Sequence, residues 1–219
     1  MNFQKLIDTI SDAFSIFDFS YIISGGLTFL IILCDLHCHQ IDYMFGNMTT
    51  TIICGIFLSY ICGIISWLCG KNIRRFFCDI NKDFEETYDY TMSSIGDTCR
   101  TNLTPITKHS MEYEYMWICL CKEEKAKYRI NFIHRFWVMQ ATYEGLIFTF
   151  ILSVAVLIDL KVMDNCFLEC FKFICVFLLL IFIIFLCAKE AKDCARNQIK
   201  EVILSYYSYC YKTPQIYIS

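Results

Sequence analysis

Residues 173–187 read FICVFLLLIFIIFLC, a run that contains only Phe, Ile, Leu, Val and Cys. With its flanks it extends over about Phe167–Ala188, and about 20 mostly apolar residues are enough to cross a bilayer as one helix. A helix that is apolar on all sides faces lipid over most of its surface. This stretch therefore decides the fold class, because it predicts an all-α membrane protein.

Three further apolar runs precede it, at about Phe19–Leu36, Met48–Gly70 and Ala141–Ile158. The chain of 219 residues is 57% hydrophobic, with a mean hydropathy of +0.47. Only 19% of its residues are charged, whereas soluble domains have about 25%. The pattern predicts a polytopic membrane protein with four transmembrane helices, arranged in two hairpins that are joined by a helical cytoplasmic insert.

Lysine and arginine predict the orientation of these spans. Segment 37–47 has no Lys or Arg and segment 159–166 has one, whereas segment 71–140 has eleven and the tail after residue 188 has five. Positively charged loops stay on the cytoplasmic side of a membrane. We therefore expect a multi-pass protein of the inner (plasma) membrane whose N- and C-termini are both cytoplasmic.

Five segments follow from the spans and their orientation. They are an amphipathic interfacial helix (1–18), transmembrane hairpin 1 (19–70), a cytoplasmic helical domain (71–140), transmembrane hairpin 2 (141–188) and a cytoplasmic tail (189–219). Segment 1–18 has its apolar positions at helical spacing, so it either lies on the membrane surface or packs on the cytoplasmic domain. Tyr113–Ile158 is predicted to be helical with few breaks, since only Gly145 disfavours it.

Composition also limits the function. A net charge of −3 gives no basic surface, so no direct nucleic-acid partner is expected. The fifteen cysteines are scattered, and many lie inside apolar runs, where a thiol behaves as a small hydrophobic group. The sequence has no phosphate-binding glycine loop, dinucleotide fingerprint or nucleophile elbow. We therefore predict neither an enzyme nor a cofactor; the lipid bilayer and further copies of the chain are the expected partners.

Small residues in the second span recur every four positions, at Gly55, Ser59 and Gly63. Residues of this kind let two helices approach closely within a membrane. The first span offers a similar row, with Ser20 and Ser24 followed by a threonine. The two rows predict tight packing of the first span on the second, and the alternative is a homo-oligomer contact through the same face.

Residues 128–150 read YRINFIHRFWVMQATYEGLIFTF and introduce polar groups at the entry to the third span. Arg135, Gln140 and Glu144 are the candidates for a polar pathway, because ionisable residues within spans usually face the interior of the helix bundle. The alternative is an interfacial role, in which Glu144 reaches toward the membrane surface or pairs with Arg74 or Lys189.

Two short motifs suggest other chemistry. Residues 34–39, CDLHCH, contain metal-ligand residue types at Cys34, His37, Cys38 and His39. Their spacing fits no structural zinc pattern, and adjacent Cys38 and His39 would strain one tetrahedral centre. An ordinary end of a span and a disulfide from Cys38 to Cys166 are the other interpretations, and no metal ligand is predicted.

The second motif is Arg129 followed by His134, a spacing found in the core motif of HEPN ribonucleases. Such a nuclease needs two motifs that face each other, and so a dimer. The residue after Arg129 is Ile, where that family prefers a polar one. The alternative is that His134 and its basic neighbour lie beside the lipid headgroups above the third span.

Three stretches carry a resemblance to a known family: FDFSYIISGG at the first span, KNIRR after the second, and RINFIHRFWVMQATYEG entering the third. In this layout the chain resembles the small four-span accessory membrane proteins encoded beside type VI-B CRISPR effectors. The resemblance implies a partner of an RNA-guided nuclease that modulates antiviral interference by changing membrane permeability. No catalytic residue of that family is carried over to this chain.

Overall fold

The computed structural model describes residues 16–39, 48–95, 109–163 and 170–210. Within these ranges every regular element is helical. The helices are α1 (Ile16–Cys38), α2 (Met48–Phe77), α3 (Ile80–Ile95), α4 (His109–Lys122), α5 (Lys127–Met163) and α6 (Cys170–Tyr209), with a short 3₁₀ helix at Glu124–Ala126. Most of segment 1–18, together with Cys166, lies outside the described residues, so the interfacial helix and the Cys38–Cys166 disulfide remain predictions.

Four of the helices are long and apolar enough to cross a membrane. The qualifying stretches are Ser20–Cys38, Thr50–Phe76, Glu124–Leu160 and Phe171–Tyr209. Large apolar side chains on α6, such as Phe182 and Phe185, are more than half exposed, as expected for a helix that faces lipid. The all-α prediction is confirmed, and the four helices indicate a multi-pass membrane protein.

The chain divides into two compact units. The first comprises Met1–Phe76 and Val138–Ala191, and the second comprises Phe77–Trp137 and Lys192–Ser219. The predicted segments differ from these units at several boundaries. Residues 71–76 and 138–140, which were predicted to belong to the cytoplasmic domain, belong to the first unit. Residues 192–210 belong with the helices of segment 77–137, whereas they were predicted to form a separate tail.

In the first unit, α1 packs closely against α2. A methyl group at Gly25 would lie against the Ser59 carbonyl oxygen and 2.7 Å from the Cα of Gly63, and one at Gly63 would lie 2.6 Å from the carbonyl carbon of Tyr21. Gly55 is looser, with the ring of Phe29 3.7 Å from the Cβ position. The face of Gly55, Ser59 and Gly63 is therefore covered by α1 within the same chain.

The partner row on α1 differs from the prediction by one residue. Tyr21, Gly25 and Phe29 face α2, whereas Ser24 faces α5, where a methyl group at Gly145 would lie 2.6 Å from the Ser24 Cβ and Oγ. Consecutive residues of an α-helix point about 100° apart, so neighbouring rows meet different helices. Ser20 is buried on the same row as Ser24. The row of Ser20 and Ser24 thus packs toward the third span, and Gly25 packs on the second.

Helices α1 and α5 run parallel. Ser24 lies against Gly145, the Thr28 and Thr149 hydroxyl groups are 2.7 Å apart, and His39 lies beside Asp159. The offset in residue number stays almost constant along these three pairs, which requires two helices that run in the same direction. By contrast, α2 runs antiparallel to both helices. Gly25 of α1 contacts Gly63, whereas Glu144, which lies slightly before the level of Gly25, contacts the later residue Gly70. Spans one, two and three therefore share one three-helix junction.

The second unit has its own hydrophobic core. The core side chains come from α3, α4, the 3₁₀ helix, the start of α5 and the end of α6. They are Tyr88, Met116, Leu120, Ala126, Ile133, Ile199, Val202, Ile203 and Tyr207. Asp83 on α3 forms ion pairs with Lys192 at 2.8 Å and Arg196 at 3.0 Å on α6. Contacts of this kind explain why the C-terminal residues belong to this unit.

Residues 113–158 are helical with one break, but the break does not fall at Gly145, which lies within α5. Helix α4 ends at Lys122, and a 3₁₀ turn at Glu124–Ala126 reverses the chain before α5 begins. The turn lets Trp117 pack 4.9 Å from the ring of Trp137 and buries Ala126 completely. Burial of these side chains outweighs the good helix propensity of the charged turn residues.

Buried phenols predict how the second unit responds to alkaline pH. Burial raises the pKa of Tyr113 to about 12, against the opposing effect of the hydrogen bond from Gln198. An unfolded tyrosine loses its proton near pH 10, so the folded state binds more protons between about pH 10 and 12 and stability falls as pH rises through that window. Between about pH 10 and 12 we expect the free energy of unfolding of Tyr113→Phe to fall by about 2 kcal/mol less than that of wild type. Denaturant unfolding at a series of alkaline pH values measures the difference, and identical pH slopes for the two proteins would contradict it.

Candidate functional site

The centre of the candidate site is the carboxylate of Glu144, which is 1% exposed in the first unit. Its Oε1 lies 2.8 Å from a guanidinium nitrogen of Arg74 and accepts a hydrogen bond from Gln140 at 3.0 Å. Its Oε2 accepts a hydrogen bond from the indole N–H of Trp67, also at 3.0 Å. Both carboxylate oxygens are therefore paired, by side chains from α2 and α5.

A glycine lets the two helices approach at this point. A methyl group at Gly70 would lie against the carbonyl oxygen of Glu144 and 2.5 Å from its carbonyl carbon. Close approach of the backbones brings Trp67 and Arg74, one turn before and one turn after Gly70, within reach of the carboxylate. Gln140, one turn before Glu144 on α5, donates a hydrogen bond to Oε1 of the carboxylate. The positions of these four residues on two helices are what assemble the site.

The ion pair is buried on both sides. The side chains of Arg74 and Glu144 are 6% and 2% exposed. Removing two charges from water is expensive, and their attraction compensates only when the geometry is good and the other polar atoms are bonded. Arg74 Nε is buried without a hydrogen-bond partner among the described residues. Replacing both members of such a pair by apolar side chains is often neutral or stabilising, so packing alone does not account for the pair.

Hydroxyl groups continue from this pair along the junction of α1, α2 and α5. Thr28 lies 2.9 Å from the Ser66 hydroxyl and 2.7 Å from that of Thr149. Thr149 also donates to the backbone oxygen of Gly145 at 3.0 Å, and Ser153 donates to that of Thr149 at 2.9 Å. We call this set the polar seam: Gln140, Glu144, Thr149 and Ser153 of α5, Ser66, Trp67 and Arg74 of α2, and Ser24 and Thr28 of α1. It is a line of polar side chains along helices that are otherwise apolar.

The structure brings together two of the three predicted pathway residues. Gln140 and Glu144 share a hydrogen bond, whereas Arg135 is exposed and belongs to the second unit. Arg74 was one of the two proposed basic partners of Glu144, and it is the one that forms the ion pair. Lys189, the other, is exposed.

The residues of the nuclease-like motif have other contacts, both within the second unit. Arg129 lies 3.7 Å from a carboxylate oxygen of Glu201. His134 packs against two indole rings, with its ring centre 5.6 Å from Trp117 and 5.3 Å from Trp137. These contacts give both side chains a part in the packing of α5 against α4 and α6.

Several members of the polar seam could not be singled out by sequence reasoning. Trp67 looks like an interfacial aromatic residue, and Ser66 and Thr149 look like isolated small polar residues in apolar runs. The available signal was the four-residue spacing of Glu144 after Gln140 and of Ser153 after Thr149. This spacing could not identify which helix each residue contacts, because the contacts depend on the offset between α1 and α5.

The chemistry open to this site is limited by its residue types. It has one carboxylate, one guanidinium group and a series of hydroxyl groups that can each donate and accept a hydrogen bond. A carboxylate can take up and release a proton, whereas arginine stays charged in proteins. The set is suited to moving protons or small cations, and among the side chains of the polar seam none is a thiol or imidazole nucleophile.

No protein-family model, curated protein or solved structure matches this chain. The class that the fold defines is that of multi-pass membrane proteins with four apolar helices, and the chemistry of the site is read from its own residues.

Proposed function

We propose that this chain is an accessory membrane protein of bacterial antiviral defence that raises membrane permeability when it is activated. The proposal includes a homo-oligomer in the inner membrane with both termini in the cytoplasm. A CRISPR effector is the partner that the resemblance of FDFSYIISGG, KNIRR and RINFIHRFWVMQATYEG suggests. In this conformation the polar seam is closed, and opening would expose it to water.

The single observation that carries the permeability proposal is the buried Arg74–Glu144 pair at one end of the polar seam. Ionisable residues inside membrane spans are costly, and they commonly mark ion or proton pathways. Ser66, Thr28 and Thr149 extend the polar groups away from the pair through hydroxyls within 3 Å of each other. Hydroxyl groups of this kind also serve ordinary packing of membrane helices, so the buried ion pair is the observation on which the proposal depends.

The test is membrane potential, read with a voltage-sensitive dye in cells that express the protein, with and without phage. We expect depolarisation on infection in wild type and its loss in Glu144→Gln, which keeps the size of the side chain but removes its charge. Glu190→Gln makes the same chemical change at an exposed position of the first unit and is the matched control. Variants are compared at equal amounts of membrane-inserted protein.

Two outcomes would contradict the permeability proposal. Equal depolarisation in wild type and Glu144→Gln would exclude the polar seam as the route. The absence of depolarisation in wild type would exclude a permeability change altogether. Unchanged phage resistance after deletion of the gene would refute the role in defence independently of both.

A second function, a membrane scaffold that recruits a partner, is supported by a different observation. The second unit has its own hydrophobic core and exposes large side chains, among them Met111 at 69% and Tyr128 at 79%. Exposed apolar side chains of this size are typical of contact surfaces when they cluster. If the scaffold is correct, Met111→Asp and Tyr128→Asp abolish protection while Glu144→Gln leaves it intact.

A further inference from the structure

A second group of titratable side chains lies in the first unit, away from Glu144. Asp35 is in the last turn of α1, His39 directly follows the end of that helix one turn later, and Asp159 is on α5. His39 Nε2 lies 2.9 Å from a carboxylate oxygen of Asp159 and 3.8 Å from Oδ1 of Asp35. One ligand atom from each residue can be chosen so that all three lie within 4.8 Å of one another. We call these residues the Asp–His–Asp cluster.

These separations suit a small divalent cation. Zinc binds imidazole nitrogen and carboxylate oxygen at about 2.0–2.2 Å, which places two ligands of a tetrahedral centre about 3.4 Å apart. The distances of 2.9 Å and 3.8 Å from His39 fall on either side of that value. The widest of the three separations is at most 4.8 Å, so the ligand atoms must draw together somewhat to surround one ion.

The second observation concerns Oδ1 of Asp35. This oxygen is buried and has no hydrogen-bond partner among the described residues. The Asp35 side chain as a whole is 32% exposed, but this oxygen is turned away from water, and a cation would give it the partner that it lacks. The unbonded oxygen is the same atom that faces the His39 ring nitrogen, so it points toward the place where an ion would lie.

The ligand set also resolves the difficulty in the sequence motif CDLHCH. Adjacent Cys38 and His39 cannot easily serve one tetrahedral centre, but Asp35 and His39 are four residues apart, and the His39 amide donates to the Asp35 carbonyl oxygen, so both side chains are on the same side at the end of α1. The third ligand comes from another helix, because the parallel packing of α1 and α5 places Asp159 beside His39. The exposed side chains of Cys34, His37 and Cys38 are not part of the cluster.

We propose that the Asp–His–Asp cluster binds Zn²⁺ through one imidazole and two carboxylates, with water at the remaining position. Three protein ligands and one open position are typical of zinc sites that exchange a ligand. The side chains of His39 and Asp159 are 32% and 54% exposed, so the ion would exchange with solution. Bound zinc would join the ends of α1 and α5, two of the three helices that form the polar seam.

The test uses the full-length protein in detergent, with ZnCl₂ and a chromophoric chelator as competitor. We expect one Zn²⁺ per chain in wild type, and about tenfold or more weaker binding in both His39→Gln and Asp159→Asn, since each removes one of three ligands. His37→Gln is the matched control, because it changes an exposed histidine of the same turn. Cys34→Ser and Cys38→Ser test the thiols of the motif. Size-exclusion chromatography confirms that each variant remains folded.

Zinc binding should also raise thermal stability in wild type and not in Asp159→Asn, because a ligand that binds only the folded state stabilises it. Three results would overturn the proposal. One is the absence of stoichiometric zinc binding, which would leave His39 and Asp159 as a hydrogen-bonded pair only. The second is binding that survives His39→Gln and Asp159→Asn. The third is binding that is lost in His37→Gln or in the cysteine variants. None of these results bears on the permeability proposal, which is tested at Glu144.

Discussion

Gly25→Ala is expected to destabilise the first unit by about 3 kcal/mol or more, whereas Gly26→Ala at the next position changes its stability by less than about 1 kcal/mol. The two substitutions add the same methyl group to the same helix. At Gly25 that group meets the backbone of α2, namely the carbonyl oxygen of Ser59 and, 2.7 Å away, the Cα of Gly63. At Gly26 no atom of another helix lies within 4 Å of the added carbon in the part of the chain that the structure describes.

The size of the difference follows from what would have to move. A flexible side chain can rotate away from an added methyl group, but a backbone moves only if the whole helix moves. Separating α1 from α2 at Gly25 would also loosen the contact between Gly63 and the Tyr21 backbone. In a membrane, helix association depends on this close packing, since lipid offers no hydrophobic driving force between helices.

The measurement is unfolding of the purified protein in mixed micelles as denaturing detergent is increased, followed by circular dichroism or tryptophan fluorescence. The pair of variants is compared at one protein concentration, so that any oligomerisation affects both equally. Equal stability of the Gly25→Ala and Gly26→Ala proteins would show that the approach of α1 to α2 is looser than described.

Glu144→Leu is expected to destabilise the first unit by about 3–5 kcal/mol, because it leaves the guanidinium group of Arg74 buried without its partner. Arginine cannot avoid this cost by losing its proton, because it stays charged in proteins. The substitution also removes the acceptor for the indole N–H of Trp67 and for the amide of Gln140. Three donors would then be buried or half-buried with no acceptor in the site.

The double variant Arg74→Met/Glu144→Leu should recover most of that loss. Replacing both members of a buried ion pair by apolar side chains of similar volume is often neutral or stabilising. The double-mutant cycle of wild type, the two single variants and the double variant separates the pairwise term from the effects of each side chain alone. We expect a coupling free energy of about 2 kcal/mol or more, which is large compared with that of an exposed salt bridge.

The same cycle also bears on function. If the double variant is stable and inserted in the membrane but no longer depolarises infected cells, the ion pair is retained for permeability and not for folding. If the double variant is stable and fully active, the carboxylate has no part in a route. A double variant that is less stable than Glu144→Leu alone would contradict the account of the site, since Arg74 would then stabilise the fold through contacts other than Glu144.

Several features were predictable from the sequence because they depend on local composition. The four apolar runs predicted four long helices, since only a hydrogen-bonded helix can carry about 20 apolar residues across a bilayer. The small residues Ser59 and Gly63 predicted a face for close packing, and Gln140 and Glu144 were predicted as polar groups at the entry to the third span. Each of these inferences needs only residue types and their spacing along one helix.

What only the tertiary structure decided is the relation between helices. It assigned Gly25 to α2 and Ser24 to α5, it selected Arg74 over Lys189, and it placed Asp159 beside His39. It also placed the break in the helical stretch 113–158 at the turn Glu124–Ala126, and it joined the C-terminal residues to the second unit. The physical reason is the same in each case. The spacing of residues along a helix is fixed by its hydrogen bonds, whereas rotation and offset between two helices are fixed by contacts among residues up to 125 positions apart, which no local pattern contains.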